Sequence, residues 1–191
     1  MDASAVDEVG TEVAGASGAG TMNAGDAATI KTARARDLLA SLESRGVWAA
    51  LPGDWTQKVK TQLQVSGPYG PNLWEAANLL GACFNAHTLS AAVKTACVEA
   101  ITAIRETQGA IARVSRRTTL VVFGTSGWRE AIGEGFTVEN VHKVTRGILA
   151  MMRSGEFLRT CGFRDFEAVK AAGILVFRDN RYMGAEFMEA A

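Results

Sequence analysis

The spacing of the apolar residues changes once along this 191-residue chain, and the change separates two kinds of structure. Before about residue 113 the apolar side chains recur every three or four positions, which is typical of amphipathic helices. From Leu120 to Phe123 they form a continuous run instead, bounded by Thr119 and Gly124. A short continuous apolar run predicts a buried strand. The chain therefore divides into a helical part and a part that contains strands.

The first segment, residues 1–28, is composed mainly of Ala, Gly, Ser, Thr, Asp and Glu. Such a segment buries too little apolar surface to offset the conformational entropy that it would lose on folding. We therefore predict a flexible tail over residues 1–28.

Residues 29–112 contain four stretches in which the apolar residues have helical spacing, separated by turn signals. Gly46 is placed to end the first helix, since glycine readily adopts the left-handed conformation found at helix ends. Asp54 and Asn72 are placed to cap the next two helices with their side-chain oxygens. We predict a small helical bundle or array here.

Nothing in this helical part has the spacing of a catalytic or metal site. His87 has no Cys, Asp or second His at ligand spacing, so we expect a turn or capping role for it. The tryptophans are expected mostly in the core, with an aromatic surface for a protein partner as the alternative. They are Trp48, Trp55 and Trp74. A protein partner for residues 30–112 therefore stays open.

A linker is predicted at residues 113–118, and a second structural unit follows at residues 119–191. In this unit a helix with Thr137 as its cap is expected to run to about Ser154, where Gly155 is a plausible stop. A second continuous apolar run follows at residues 173–177. Strand, helix and strand in this order predict a βαβ unit with parallel strands. The predicted fold class is α/β: a helical N-terminal region followed by an incomplete βαβ start.

Charge and targeting signals exclude several classes of protein. Twenty basic and twenty acidic residues cancel, so no net field draws the chain to nucleic acid or to an anionic membrane surface. The N-terminus is acidic and lacks an apolar signal segment, and no run approaches the roughly 20 apolar residues of a membrane helix. We expect a cytoplasmic protein that binds neither nucleic acid nor membrane.

The segment Phe-Gly-Thr-Ser-Gly-Trp-Arg at residues 123–129 carries the clearest chemistry. Gly127 permits close approach of the backbone to a ligand, and the hydroxyls of Thr125 and Ser126 are hydrogen-bond donors. The guanidinium of Arg129 matches the oxygens of a phosphate group. We predict a phosphate-facing loop. A tight connection with Arg129 in a surface ion pair explains the same residues equally well.

Two blocks of sequence, taken together, resemble the alpha-D-phosphohexomutases, a family that includes phosphoglucomutase and phosphomannomutase. The first block is residues 123–129 followed by Ile-Gly-Glu at 132–134, Phe-Thr at 136–137 and Glu-Asn-Val at 139–141. The second is residues 173–181, reading Gly-Ile-Leu-Val-Phe-Arg-Asp-Asn-Arg, with Glu-Phe at 186–187 and Glu-Ala-Ala at 189–191. The resemblance covers residues 119–191 and implies the N-terminal part of the family's first domain.

The resemblance implies an isomerase that transfers phosphate between the 1- and 6-positions of a hexose phosphate. In the family the transfer proceeds through a phosphoserine and a sugar bisphosphate, with a magnesium ion held by aspartates of the second domain. It implies a catalytic role for Arg129 and substrate binding by Thr125, Ser126, Gly127 and Arg181. For Asp179 and Arg181, the holding of a turn is the favoured alternative.

The chain also departs from the family. Glu130 places a carboxylate beside Arg129, where a small or apolar residue is usual. The Ser-His-Asn-Pro loop and the Asp-Gly-Asp-x-Asp metal cluster do not occur in these 191 residues, so neither the reactive serine nor magnesium ligands are expected here. We predict an N-terminal phosphohexomutase fragment that is inactive in isolation. The alternative is a non-catalytic sugar-phosphate-binding or protein-interaction module.

Overall fold

The computed structural model describes residues 24–66, 69–116, 118–125 and 127–191. The helical part contains α1 (Ala24–Ser44), α2 (Val47–Ala50), α3 (Trp55–Gln64), α4 (Leu73–Ala86) and α5 (Ala91–Val114). The C-terminal part contains β1 (Phe123–Gly124), β2 (Gly127–Trp128), α6 (Val138–Met152), α7 (Gly155–Cys161), α8 (Phe166–Ala172) and α9 (Gly184–Glu189). None of the helices in these ranges is long and apolar enough to cross a membrane.

The predicted helical N-terminal region is confirmed, and its helices begin and end largely where the sequence signals lie. Asp54 precedes α3 as predicted, but its side chain forms no capping hydrogen bond. The Asn72 side chain accepts a hydrogen bond from the Glu75 amide at 3.1 Å and so caps α4. Gly46 lies beyond α1 with φ of 67°, a left-handed conformation that glycine adopts without strain. His87 ends α4 and accepts a hydrogen bond from Trp55 Nε1 at 3.0 Å.

Two boundaries differ from the prediction. Helix α1 begins at Ala24 and so includes the last five residues of the predicted tail, 24–28, while residues 1–23 lie outside the described residues. The sequence from Ala24 is rich in alanine, and the high helix propensity of alanine favours a helix although its small side chain buries little apolar surface. Helix α5 continues through Val114 into the predicted linker, of which Arg117 is not described.

One hydrophobic core joins the helices of the N-terminal part. It is formed mainly where α1, α3, α4 and α5 meet, and its largest fully buried side chains include Leu42, Leu73, Leu80 and Ile104. Trp48 is buried in it, and Trp55 packs against it with part of its ring exposed. The expectation that these two rings belong to the core is therefore met.

The second half of α5 is buried by a different set of neighbours. Residues 107–112, which we call the α5 platform, lie beyond Ile104, where the core of the helical part ends along α5. The buried platform residues are Thr107, Gln108, Gly109, Ile111 and Ala112. Helix α6 packs against α5, and the segments around Gly133 and Tyr182 approach the platform closely. This packing joins the helical part to the C-terminal part.

The predicted parallel βαβ pairing is wrong for the described residues. β1 and β2 form an antiparallel hairpin in which Phe123 lies opposite Trp128. Residues 120–122 and 173–177 belong to no strand, and Leu120 and Phe177 are 82% and 81% exposed. Two parallel strands alone leave both outer edges and both sheet faces uncovered, and a lone strand pair is marginal in water. α6 instead packs against α5 and α9.

The helix expected after Thr137 is present as α6, and the Thr137 hydroxyl accepts a hydrogen bond from the Asn140 amide at 3.2 Å. Two further helices, α7 and α8, were not predicted. Ser154 and Asp165 cap them through their side-chain oxygens. Gly155, interpreted as a helix stop, is the first residue of α7, because the cap at Ser154 starts a new helix at once.

We expect Leu80→Ala to lower the free energy of unfolding by about 2–5 kcal/mol, because it removes buried methyl groups and leaves a cavity. Leu80 is 1% exposed in the core of the helical part. Urea unfolding followed by circular dichroism measures the change. Val98→Ala, at a position that is 49% exposed on α5, is the control and is expected to change stability by less than about 0.5 kcal/mol. Equal losses in both variants would contradict the assigned core.

Candidate functional site

A groove of about 580 Å³ brings the two sequence blocks together. Its floor is apolar and includes Val141, Val144 and Ile148 of α6. Its charged rim comes from both blocks: Arg129 and Glu130 follow β2, and Arg178, Asp179 and Arg181 precede α9. Residues about 50 positions apart in sequence therefore share one cavity.

Arg129 is placed at this rim by the hairpin that precedes it. Gly127 is the first residue of β2, and its φ of 111° is unfavourable for residues with a β-carbon. Arg129 is exposed and makes no hydrogen bond or ion pair with any other described residue. Its guanidinium is therefore available to an anion, and the surface ion pair considered from the sequence is not formed among the described residues.

An aromatic stack connects the two blocks beside the groove. Trp128 stacks on Phe136 with ring centroids 4.2 Å apart and planes 18° apart. Phe136 in turn meets the edge of Phe187 on α9, at a centroid distance of 4.7 Å. Such ring pairs contribute about 0.5–1.5 kcal/mol each beyond the burial of their area. The stack holds the residue before Arg129 against the helix that follows Arg181.

The segment 131–136 is fixed to the helical part by polar contacts. Lys31 Nζ of α1 lies 3.1 Å from Glu134 Oε1, and the Lys31 side chain is only 5% exposed. Trp74 Nε1 of α4 donates to the Ile132 carbonyl at 2.7 Å. Because α1 and α4 belong to the helical core, these contacts make that core a support for the groove.

A buried amide holds the beginning of the C-terminal part in place. Asn140 is fully buried, and its Nδ2 donates to the Gly135 carbonyl at 2.8 Å and to Thr119 Oγ1 at 2.9 Å. Its Oδ1 accepts from the Thr119 amide at 3.2 Å. One side chain therefore joins α6, the segment before α6 and the segment that leads to the hairpin.

The second block forms a tight turn. The Asp179 carboxylate accepts hydrogen bonds from the Arg181 amide at 3.1 Å and from Arg181 Nε at 2.6 Å. These two bonds, the backbone bond first, lower the pKa of Asp179 below its ordinary value. The Arg181 side chain is still 86% exposed at the groove rim. The turn role favoured from the sequence is thus present, while Arg181 also borders the groove.

The residues predicted for the site are placed unequally. Arg129 and Arg181 line the groove. Thr125 follows β1 and Gly127 begins β2, and neither lines the groove, while Ser126 lies outside the described residues. The sequence interpretation missed Tyr182, which lines the groove, and no short motif signals its position.

The resemblance implies magnesium, which in the family is held by aspartates of the second domain. Among the described residues no group of three or more His, Cys, Asp or Glu side chains could hold a metal ion. Of the acidic residues at the rim, Asp179 is bonded to Arg181 within its turn.

No family model, curated protein or solved structure matches this chain. The resemblance to the phosphohexomutases is confined to the two sequence blocks, parts of which line the groove.

We expect the carboxyl group of Asp179 to titrate below the ordinary aspartate pKa of about 3.9, measured by NMR. Because the folded pKa is depressed, its stabilising effect is present above the ordinary pKa and is lost as the pH falls through the folded value. Arg181→Ala should raise the Asp179 pKa only in part, because the amide of residue 181 still donates. The control is Asp165, whose pKa is also lowered by bonds within its own turn and should not respond. An unchanged Asp179 pKa in Arg181→Ala would contradict the assigned side-chain bond.

Proposed function

We propose that residues 119–191 form part of the phosphate-binding site of a phosphohexomutase-type isomerase. The observation that supports this most directly is the groove, where Arg129 and Arg181, from two distant blocks, share one rim. Both belong to motifs that resemble the family. The ligand of the groove is a hexose phosphate.

The chemistry of the rim suits a phosphoryl group. Arg129 can donate two parallel hydrogen bonds to phosphate oxygens, since its guanidinium has no other partner among the described residues. Arg181 adds a second positive charge that is partly neutralised by Asp179. Glu130 opposes phosphate binding at the same rim. Arg129 is therefore expected to provide most of the affinity.

The contribution of these residues to phosphoryl transfer is positioning and electrostatic stabilisation. The reactive serine and the magnesium ligands of the family would be supplied by sequence other than these 191 residues. The isolated chain is therefore expected to bind hexose phosphates without converting them. The proposed enzyme acts in the cytoplasm, as the composition of the chain suggested.

A non-catalytic sugar-phosphate sensor is the second candidate, and one observation favours it. The groove has an arginine rim, and arginine side chains can bind a phosphoryl group without a reactive serine. A protein-interaction role for the helical part has less support, because Trp48 is buried and Trp74 donates to the Ile132 carbonyl within the same chain.

We expect Arg129→Ala to weaken the binding of glucose 1,6-bisphosphate by tenfold or more, since hydrogen bonds to charged groups contribute about 1.5–3 kcal/mol. Isothermal titration calorimetry of the wild-type chain and the variant, with glucose 1-phosphate as a second ligand, measures the change. Arg36→Ala is the matched control, because Arg36 is a highly exposed arginine of α1 outside the groove.

Equal affinities of Arg129→Ala and wild type would remove Arg129 from the site. Failure of the folded wild-type chain to bind either sugar phosphate would contradict the proposed function, including the sensor. Phosphomutase activity of the full-length coding frame, with a serine loop after Ala191, would distinguish the enzyme from the sensor.

A further inference from the structure

The α5 platform contacts both sides of the groove at once. Gln108 lies against Gly133 of the first block, and Gly109 lies against Tyr182 and Met183, which lie within the span of the second block between residues 173–181 and 186–187. Farther along α5, Arg113 forms an ion pair with Glu186 of α9 at 2.9 Å. The two sides of the groove therefore rest on neighbouring residues of one helix.

The contact with the second block depends on the absence of a side chain at position 109. A β-carbon at Gly109 would lie 2.5 Å from the Tyr182 hydroxyl oxygen and 3.2 Å from Met183 Sδ. Met183 is 4% exposed and has a left-handed φ of 60°, a conformation that its surroundings must hold in place. Met183 therefore has little freedom to move, and the ring of Tyr182 must give way.

Displacement of Tyr182 changes the groove directly. Tyr182 lines the groove and follows Arg181, which carries one of the rim charges. Tyr182 is 39% exposed, so its ring can move toward the groove or into solvent. A methyl group at position 109 would therefore push on the Tyr182 hydroxyl group and displace the groove wall that Tyr182 forms.

The contact with the first block is equally close and involves backbone on both sides. A β-carbon at Gly133 would lie 2.6 Å from the Gln108 carbonyl oxygen, and Gly133 has φ of 80°. Gln108 is fully buried. This contact fixes the distance between α5 and the segment 131–136, which leads into α6.

We infer that the α5 platform sets the width of the groove and that Gly109 is a positioning residue for it, acting through Tyr182. The helical part is thereby a structural component of the phosphate site. The inference rests on the proposed function only for its binding measurement. Its structural measurement needs no ligand.

The structural test uses fluorine NMR of the chain labelled with 3-fluorotyrosine. The sequence has two tyrosines, so Tyr69→Phe assigns the remaining signal to Tyr182. We expect Gly109→Ala to shift the Tyr182 signal and leave that of Tyr69 in place. Gly81→Ala is the matched control: it also replaces a glycine within a helix, but its β-carbon would meet Ile101 only at an ordinary 4.0 Å. An unchanged Tyr182 signal in Gly109→Ala would overturn the inference.

The binding test is calorimetric titration with glucose 1,6-bisphosphate. We expect Gly109→Ala to weaken binding about tenfold, since small displacements of positioned groups have large effects. Gly81→Ala is expected to bind like wild type. Both substitutions increase helix propensity to the same extent, so helix propensity does not explain a difference in affinity between the two variants.

The rescue test removes the hydroxyl group that transmits the change. In a Tyr182→Phe background, Gly109→Ala should weaken binding by less than about twofold, because the closest contact no longer exists. An undiminished loss in that background would show that Gly109 acts by another route and would overturn the inference. If wild type itself fails to bind, the proposed function fails, and the fluorine signal of Tyr182 alone decides the role of Gly109.

Discussion

The close packing of α5 against segment 131–136 is the constraint on which the rest of the C-terminal part depends. At this contact backbone meets backbone, because Gly133 lies against the carbonyl of Gln108. The ion pair of Lys31 with Glu134 lies at the same junction, with the lysine almost fully buried. Taking such a charge out of water offsets much of the attraction, so the pair adds little net stability. Breaking it is costly, however, and the pair therefore helps to fix the register of the junction.

The helical half could be predicted because its determinants are local. Asn72 caps α4 through an amide three residues away, and the periodic apolar positions of α4 and α5 point to one core. The strands could not be predicted in the same way, because an apolar run indicates that a segment is buried but does not indicate which strand it pairs with. Residues 120–122 and 173–177 have the composition of strands but no ladder partner among the described residues. Within the part of the chain that the structure describes, β1 pairs with β2, which follows it closely in sequence.

The site could be predicted only as far as its residues belong to one segment. Arg129 and Arg181 were found because each stands in a recognisable block. The aromatic stack could not be found, since Phe187 meets Phe136 across 51 positions of sequence. Gly109 carries even less signal, because a glycine within a helix usually indicates only reduced helix propensity. The role of Gly109 depends on its contact with Tyr182, which the tertiary fold brings close to it.

The groove combines two surfaces with different physical demands. A phosphate group is stabilised by the arginines of the rim, whereas the apolar floor formed by Val141, Val144 and Ile148 offers it no hydrogen bonds. The floor continues into Val176 and Phe177, which are 50% and 81% exposed. Apolar surface of this kind is stabilised by packing. The rim therefore accounts for ligand binding in the proposed function. The exposed apolar residues of 173–177 are surface of the kind that favours self-association.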